Sequence, residues 1–399
     1  MNRESKSYLV SSISYLGKKK ESKFWILDAR IPFSQREKGW GKEKDEEMKS
    51  KRATSIEHRI TALGQKIKKE KIEAFLIKGT ENVSYLSHYW IEGEILLSSR
   101  DKFFITTSLF AEEAKSRLNG WQIVIQKDSL EKTISEICKK LRGKRVGFEA
   151  SHFSFAEYER LRKIKEVEWV PFSGLIENQR AIKDVGELTC IEEALKVTRA
   201  AFAYLENELE TGVTEKDISR KAIYFLRENA DEEAFPPIVL FGERTSLPHG
   251  KPSQKKLEKG ELVLLDLGAR VGGYCSDLTR TIFLAGIKEK WRQIYHLIVK
   301  AQKEVIKTLK PGISCSDIDR MIREKIEGAG YGKNFIHGSG HGVGLAVHEL
   351  PSIASRSKDI LKAGMVFTLE PGIYLEGEGG VRVEEMIVVS EEGGRVLNG

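Results

Sequence analysis

Asp266 stands inside Leu262-Val263-Leu264-Leu265-Asp266-Leu267, a run that otherwise reads as a fully buried strand. A carboxylate there is costly unless it is paired or binds a metal. Eleven residues on, Asp277 lies in the next strand, expected over 274–284. The 268–273 connection contains three glycines and can fold the two strands into a hairpin with both carboxylates at one mouth. The strands expected over 366–374 and 380–389 repeat the anomaly: Glu370 follows Met365-Val366-Phe367-Thr368-Leu369, and Glu384 follows Val381-Arg382-Val383. Taken singly, each aspartate reads more readily as a turn or hydrogen-bonded residue, and one glutamate could be salt-bridged to Arg382. Four acids in four apolar strands repel one another unless positive charge lies among them, so as a group they point to bound cations.

The run His337-Gly338-Ser339-Gly340-His341-Gly342-Val343-Gly344 adds imidazoles on a backbone that permits close approach. Its GxGxG look is a weak nucleotide signal, because no strand-to-helix phosphate turn frames it. One imidazole with four carboxylates makes a hard, oxygen-rich donor set suited to two divalent ions sharing a bridging carboxylate. Manganese, cobalt or iron fits that set better than structural zinc.

Together, Asp266-Leu-Gly-Ala, Ser276-Asp277-Leu-Thr-Arg280, Gly340-His341-Gly-Val-Gly344, Thr368-Leu-Glu370-Pro-Gly and Val381-Arg-Val-Glu384 resemble the pita-bread metallopeptidases, in particular their aminopeptidase P and prolidase branch. The resemblance covers about residues 58–399 and is most specific in the last 150 or so. It implies that Asp266, Asp277, His341, Glu370 and Glu384 bind two divalent ions, manganese or cobalt. It also places His249 and His348 on the substrate side and makes Arg382 an active-site arginine; as a physical alternative, Arg382 orients a ligand carboxylate. Tyr274 reads as a sheet aromatic. Cys275, two residues before Asp277 and on the same face of a regular strand, reads as a small buried hydrophobe.

The 399 residues allow two or three domains. Residues 1–57 hold 14 Lys+Arg against 9 Asp+Glu and read as a basic, solvated extension, with a basic arm for an acidic partner and a translation start at Met48 as the alternatives. Residues 58–178 alternate strand and helix patterns, as an α/β domain does, with Ile60, Leu63 and Ile67 on one helical face and no evident titratable cluster. Residues 179–399 read as α+β: helices over 186–209, from Thr214, over 295–309 and capped by Ser316, set against a largely antiparallel sheet. The resemblance makes these a smaller creatinase-like N-terminal domain and a pita-bread catalytic domain. Residues 58–399 carry 52 Lys+Arg against 50 Asp+Glu, too balanced for nucleic-acid binding. No apolar run approaches the ~18 residues of a membrane span. The cysteines, spaced 52, 85 and 40 apart, fit neither zinc knuckles nor a disulfide framework, so a reducing cytoplasm is expected.

The function implied by the resemblance is an exopeptidase that cleaves the bond before a proline in second position. A hydroxide bridging two ions attacks the carbonyl, Glu370 shuttles the proton, and His249 and His348 hold the oxyanion. The partner is then a peptide or dipeptide substrate, and the assembly a homodimer. The alternatives are a methionine aminopeptidase, which lacks an N-terminal domain like 58–178, a creatinase-like enzyme without the metal set, and a catalytically silent binding module.

Overall fold

The computed structural model describes residues 24–25, 42–141 and 144–398. Helix α1 (Lys42–Lys69) turns Ile60, Leu63 and Ile67 inward as their spacing requires. It begins earlier than expected: the charged run from Lys42 is helical backbone, because its Lys, Glu and Met are good helix formers whether or not they are solvated. Of the expected basic tail, residues 1–23, which include Lys18-Lys19-Lys20, and 26–41 lie outside the described residues.

Six strands follow: β1 (Ala74–Ile77), β2 (Glu94–Ser98), β3 (Lys102–Thr106), β4 (Gln122–Ile125), β5 (Arg145–Glu149) and β6 (Glu168–Phe172). They form one mixed sheet in the order β4-β3-β2-β1-β5-β6, with β1, β5 and β6 parallel and β2 antiparallel to β1. β1 is buried on both faces, as its unbroken Ala74-Phe75-Leu76-Ile77 run demands.

The second unit opens with α2 (Val185–Glu208), whose capping box pairs Asp184 with Glu187. In α3 (Glu215–Asn229) the expected Thr214–Asp217 box forms. Helices α4 (Glu289–Ile306) and α5 (Cys315–Gly328) complete the set. Ser314 occupies the N-cap of α5, and Ser316, the residue expected there, lies inside the helix and hydrogen-bonds Ser314.

Against these helices lies a set of antiparallel pairs. β7 (Ile238–Phe241), β8 (Leu262–Leu267) and β11 (Leu278–Leu284) run side by side, with Phe24–Trp25 beyond β11. Between β8 and β11, β9 (Ala269–Val271) and β10 (Tyr274–Cys275) pair across Gly272-Gly273, whose φ of 58° and 84° suit a two-residue hairpin turn closed to side-chained residues. A five-stranded sheet runs β13 (Glu349–Ile353), β12 (Gly340–Gly342), β14 (Val366–Leu369), β17 (Glu385–Ser390), β18 (Gly393–Val396), and β15 (Gly372–Leu375) pairs with β16 (Gly379–Arg382).

Three strands expected to be continuous are cut, each at its acid. The 274–284 strand breaks at Ser276-Asp277, the 366–374 strand at Glu370-Pro371 and the 380–389 strand at Val383-Glu384. Pro371 has no N–H for a ladder. The Glu384 N–H turns to Thr279 O, where the chain leaves β16 for β17. Irregular backbone lets these carboxylates face one another instead of alternating across a pleat.

Candidate metal centre

Asp266, on β8, pairs with Thr279 across the ladder, so Asp277 enters at the same end of the hairpin. β12 brings His341 beside β14, where a Cβ on Gly340 would stand 1.8 Å from Thr368 O; only glycine allows that approach. As a result Asp277, His341 and Glu384 each place a donor atom within 4.8 Å of the others. His341 Nε2 lies 3.6 Å from Asp277 Oδ2 and 3.4 Å from Glu370 Oε1.

Hydrogen bonds fix the tautomer of that ring. His341 Nδ1 faces Gly342 O at 3.2 Å, and a carbonyl only accepts, so Nδ1 carries the proton and Nε2 presents its lone pair to the two carboxylates. Burial, then the neighbouring His348, pushes His341 down to about 4, so it is neutral at pH 7. A cation placed among them would take that lone pair and the carboxyl oxygens together.

Burial and mutual repulsion raise the acids. Asp277 is held well above its ordinary range by burial and then by Glu384, Asp266 and Glu370. Glu384 is likewise raised by burial, Glu370 and Asp266, and Asp266 by burial against the pull of Arg382. Burial lifts Glu370 to about 7 although Arg382 opposes it.

Arg382, 3% exposed, does not pair with a glutamate as the sequence allowed; its Nη2 donates to Asp266 Oδ2 at 2.6 Å. Its Nε donates to Thr279 Oγ1, which in turn donates to Glu384 Oε2. Arg382 Nη1 donates to the Tyr374 hydroxyl, so that hydroxyl gives its own proton to His337 Nε2, whose Nδ1–H is bound to Gly338 O. Asp266 Oδ1, by contrast, is buried with no hydrogen-bond partner. An orphaned carboxylate oxygen, crowded acids and an inward lone pair form a hard, oxygen-rich donor set that fits divalent cations.

His348 and His249 are exposed at the mouth of this cluster. The His348 and His341 rings meet at 4.2 Å between centroids, and His249, in the turn after Ser246, acts electrostatically on both His348 and Asp266. The half of the ring that faces the protein loses water, and this and then His249 push His348 down from its ordinary value. Tyr274 is a buried sheet aromatic whose hydroxyl donates to Glu187. Cys275 is a buried thiol at the end of β10, 3.7 Å from Leu345 O, and the break after it removes the shared strand face with Asp277.

Several polar residues of the site carried no assigned role in the sequence. Thr279 and His337 lay inside quoted motifs, whereas Tyr374 gave no local signal. The N-terminal unit also holds a titratable cluster where none was expected: Glu149, His152 and Glu177 converge to within 4.8 Å. Glu149 is satisfied internally, accepting the N–H groups of Lys78 and Gly79 and the amide of Asn82.

Known proteins resemble this chain in sequence and fold. The model of metallopeptidase family M24 matches residues 189–391, and that of the creatinase/prolidase N-terminal domain matches 59–182. An Xaa-Pro dipeptidase of Pyrococcus horikoshii is 36% identical over 334 residues, covering 82% of this chain and 93% of its own. Among solved structures, an Xaa-Pro dipeptidase from Bacillus anthracis superposes with a TM-score of 0.82 at 34% identity, over 86% of this chain and 97% of its own. An X-Pro aminopeptidase from Thermotoga maritima gives 0.76 at 31%, over 82% and 96%. The paired domains and their pita-bread architecture therefore identify the chain as a member of metallopeptidase family M24.

Proposed function

We propose that this chain is a metal-dependent exopeptidase that hydrolyses the bond between an N-terminal residue and a following proline, in dipeptides or longer peptides. The observation that carries the reading is the gathering of four raised carboxylates and one neutral imidazole, with Asp266 Oδ1 left unpartnered. The proline preference is supported by relatives named for Xaa-Pro substrates. The same reading divides the chain at 57/58 and 178/179 into extension, N-terminal domain and catalytic domain, close to the limits of the two family matches. Four free cysteines support a cytoplasmic location.

Asp266, Asp277, His341, Glu370 and Glu384 would hold two divalent ions, manganese or cobalt. Bound there, such ions supply a water ionised near neutral pH and polarise the scissile carbonyl. The protein groups do the rest. Glu370, at about 7 before any cation binds, is the carboxylate best placed to take a proton and return it to the leaving amine. His348, neutral at pH 7, offers one N–H to the oxygen that becomes an oxyanion, with His249 beside it. Arg382 binds no substrate atom in this scheme: its bonds to Asp266, Tyr374 and, through Thr279, Glu384 orient two ligand carboxylates.

The test is hydrolysis by chelator-stripped protein reloaded with manganese or cobalt. Release of glycine from Gly-Pro, Gly-Pro-Gly-Gly or both is expected, and their ratio separates dipeptidase from aminopeptidase. Cleavage of Met-Ala peptides alone would point to a methionine aminopeptidase, and no cleavage of any of them to a silent binding module.

A further inference from the structure

The segment joining the two units carries two cations that water hardly reaches. The side chains of Arg180 and Lys183 are 6% and 0% exposed, and both close on Glu349, itself 5% exposed. Arg180 Nη2 stands 2.5 Å from Oε2 and Lys183 Nζ 2.7 Å from Oε1. Three charges withdrawn from water are costly unless each is closely paired, so the contact holds its geometry tightly.

What it holds is the loop between His341 and His348. Glu349 follows His348 directly and pairs with Gly342, next to His341, across an irregularity in the β12–β13 ladder. Glu349 Oε2 also accepts the Ala346 N–H at 3.4 Å. The Gly344 backbone passes so close that a Cβ there would stand 2.2 Å from Oε1. Both carboxylate oxygens are thus taken up by the linker cations and the loop, and neither is free to act on substrate.

The same contact reaches the N-terminal unit. Arg180 Nη1 donates to Asn82 Oδ1, and the Asn82 amide donates to Glu149 and Glu177. A continuous set of hydrogen bonds therefore runs from Glu149 at the end of β5, through Asn82 and Arg180, to the residue beside His348.

We infer that Glu349 is a positioning residue that sets His348 against the substrate carbonyl, and that Arg180 and Lys183 make this setting depend on the docked N-terminal domain. The inference rests on the role proposed above for His348. It is tested by a double-mutant cycle on full-length, manganese-loaded protein, with whichever of Gly-Pro and Gly-Pro-Gly-Gly the wild type cleaves faster, using Glu349→Gln, His348→Ala and both together.

Glu349→Gln lowers kcat by about 10- to 100-fold, the usual cost of removing an outer partner of a site residue, with KM and manganese content near wild type. In the His348→Ala background the same substitution has no further effect, because the group it positions is gone. Losses that multiply instead, or a raised KM with kcat intact, overturn the inference. Should Glu349→Gln not fold, Arg180→Gln carries the cycle, since it leaves the Lys183–Glu349 pair in place, and Arg180→Lys recovers part of its loss. A wild type inactive on both peptides defeats the functional reading and this inference with it; a fully active His348→Ala, or multiplying losses in an active enzyme, defeats this inference alone.

Discussion

Replacing Asp277 with asparagine should stabilise the metal-free protein and weaken its response to metal. The Asp277 side chain is 7% exposed, and a neighbouring carboxylate on Glu384 has a donor atom within 4.8 Å. Two unit charges at that distance repel by about 3.5 kcal/mol at an effective dielectric of about 20. The group escapes by taking up a proton. At pH 7 that limits the cost to about 4 kcal/mol, since its ordinary value is 3.8 and each pH unit is worth about 1.4 kcal/mol. Asparagine keeps the shape and carries no charge, so a relief of about 2 kcal/mol is a middle estimate. With about 2–4 °C per kcal/mol for a domain of this size, the Asp277→Asn melting temperature in chelator rises by about 4–8 °C over wild type. Manganese reverses the order: a ligand at 100 times its Kd adds about 2.7 kcal/mol to wild type, and the variant lacks one donor. Differential scanning fluorimetry with EDTA and with manganese reads both signs. A variant less stable than wild type in EDTA, or one gaining as much from manganese, would refute the reasoning.

Lowering pH should stabilise the chelated protein between about pH 8 and 6, because folded carboxyls raised above their unfolded values take up protons first; Glu370 does so near 7. A melting temperature that stays flat or falls over that interval in EDTA contradicts the clustering of the acids. Glu349 has the opposite sign. Although burial works against it, Lys183 and Arg180 hold its folded carboxyl below the ordinary 4.5, so its stabilisation is complete above that value and lost as pH falls through the lower folded one. Wild type should therefore lose stability more steeply than Glu349→Gln below about pH 5 in urea titrations, and parallel curves would exclude the pairing. Arg382→Met strands the buried Asp266 carboxylate and should cost about 3–5 kcal/mol of metal-free stability; a loss below about 1 kcal/mol would show that Arg382 does not support Asp266.

The acids themselves were legible because a carboxylate in an apolar run is costly wherever the chain goes: Asp266, Asp277, Glu370 and Glu384 do gather, with His341 among them. Strand limits failed at the same residues. Periodicity carried the 274–284, 366–374 and 380–389 strands through positions where the chain changes sheet or meets Pro371. Ser314 and Ser316 are both competent caps, and only the packed helix distinguishes them. The contacts around Glu349 were invisible for another reason. Asn82, Arg180 and Glu349 are 98 and 169 positions apart in their two pairings, and no local pattern registers a contact between such distant segments. The same holds for Glu177 meeting Glu149 and His152.

Anomalous diffraction from crystals grown with manganese addresses the central claim most directly. Two peaks per chain are predicted, bounded by Asp266, Asp277, His341, Glu370 and Glu384, with one of them within coordination distance of Asp266 Oδ1. A map with no peak among these five side chains would contradict the account.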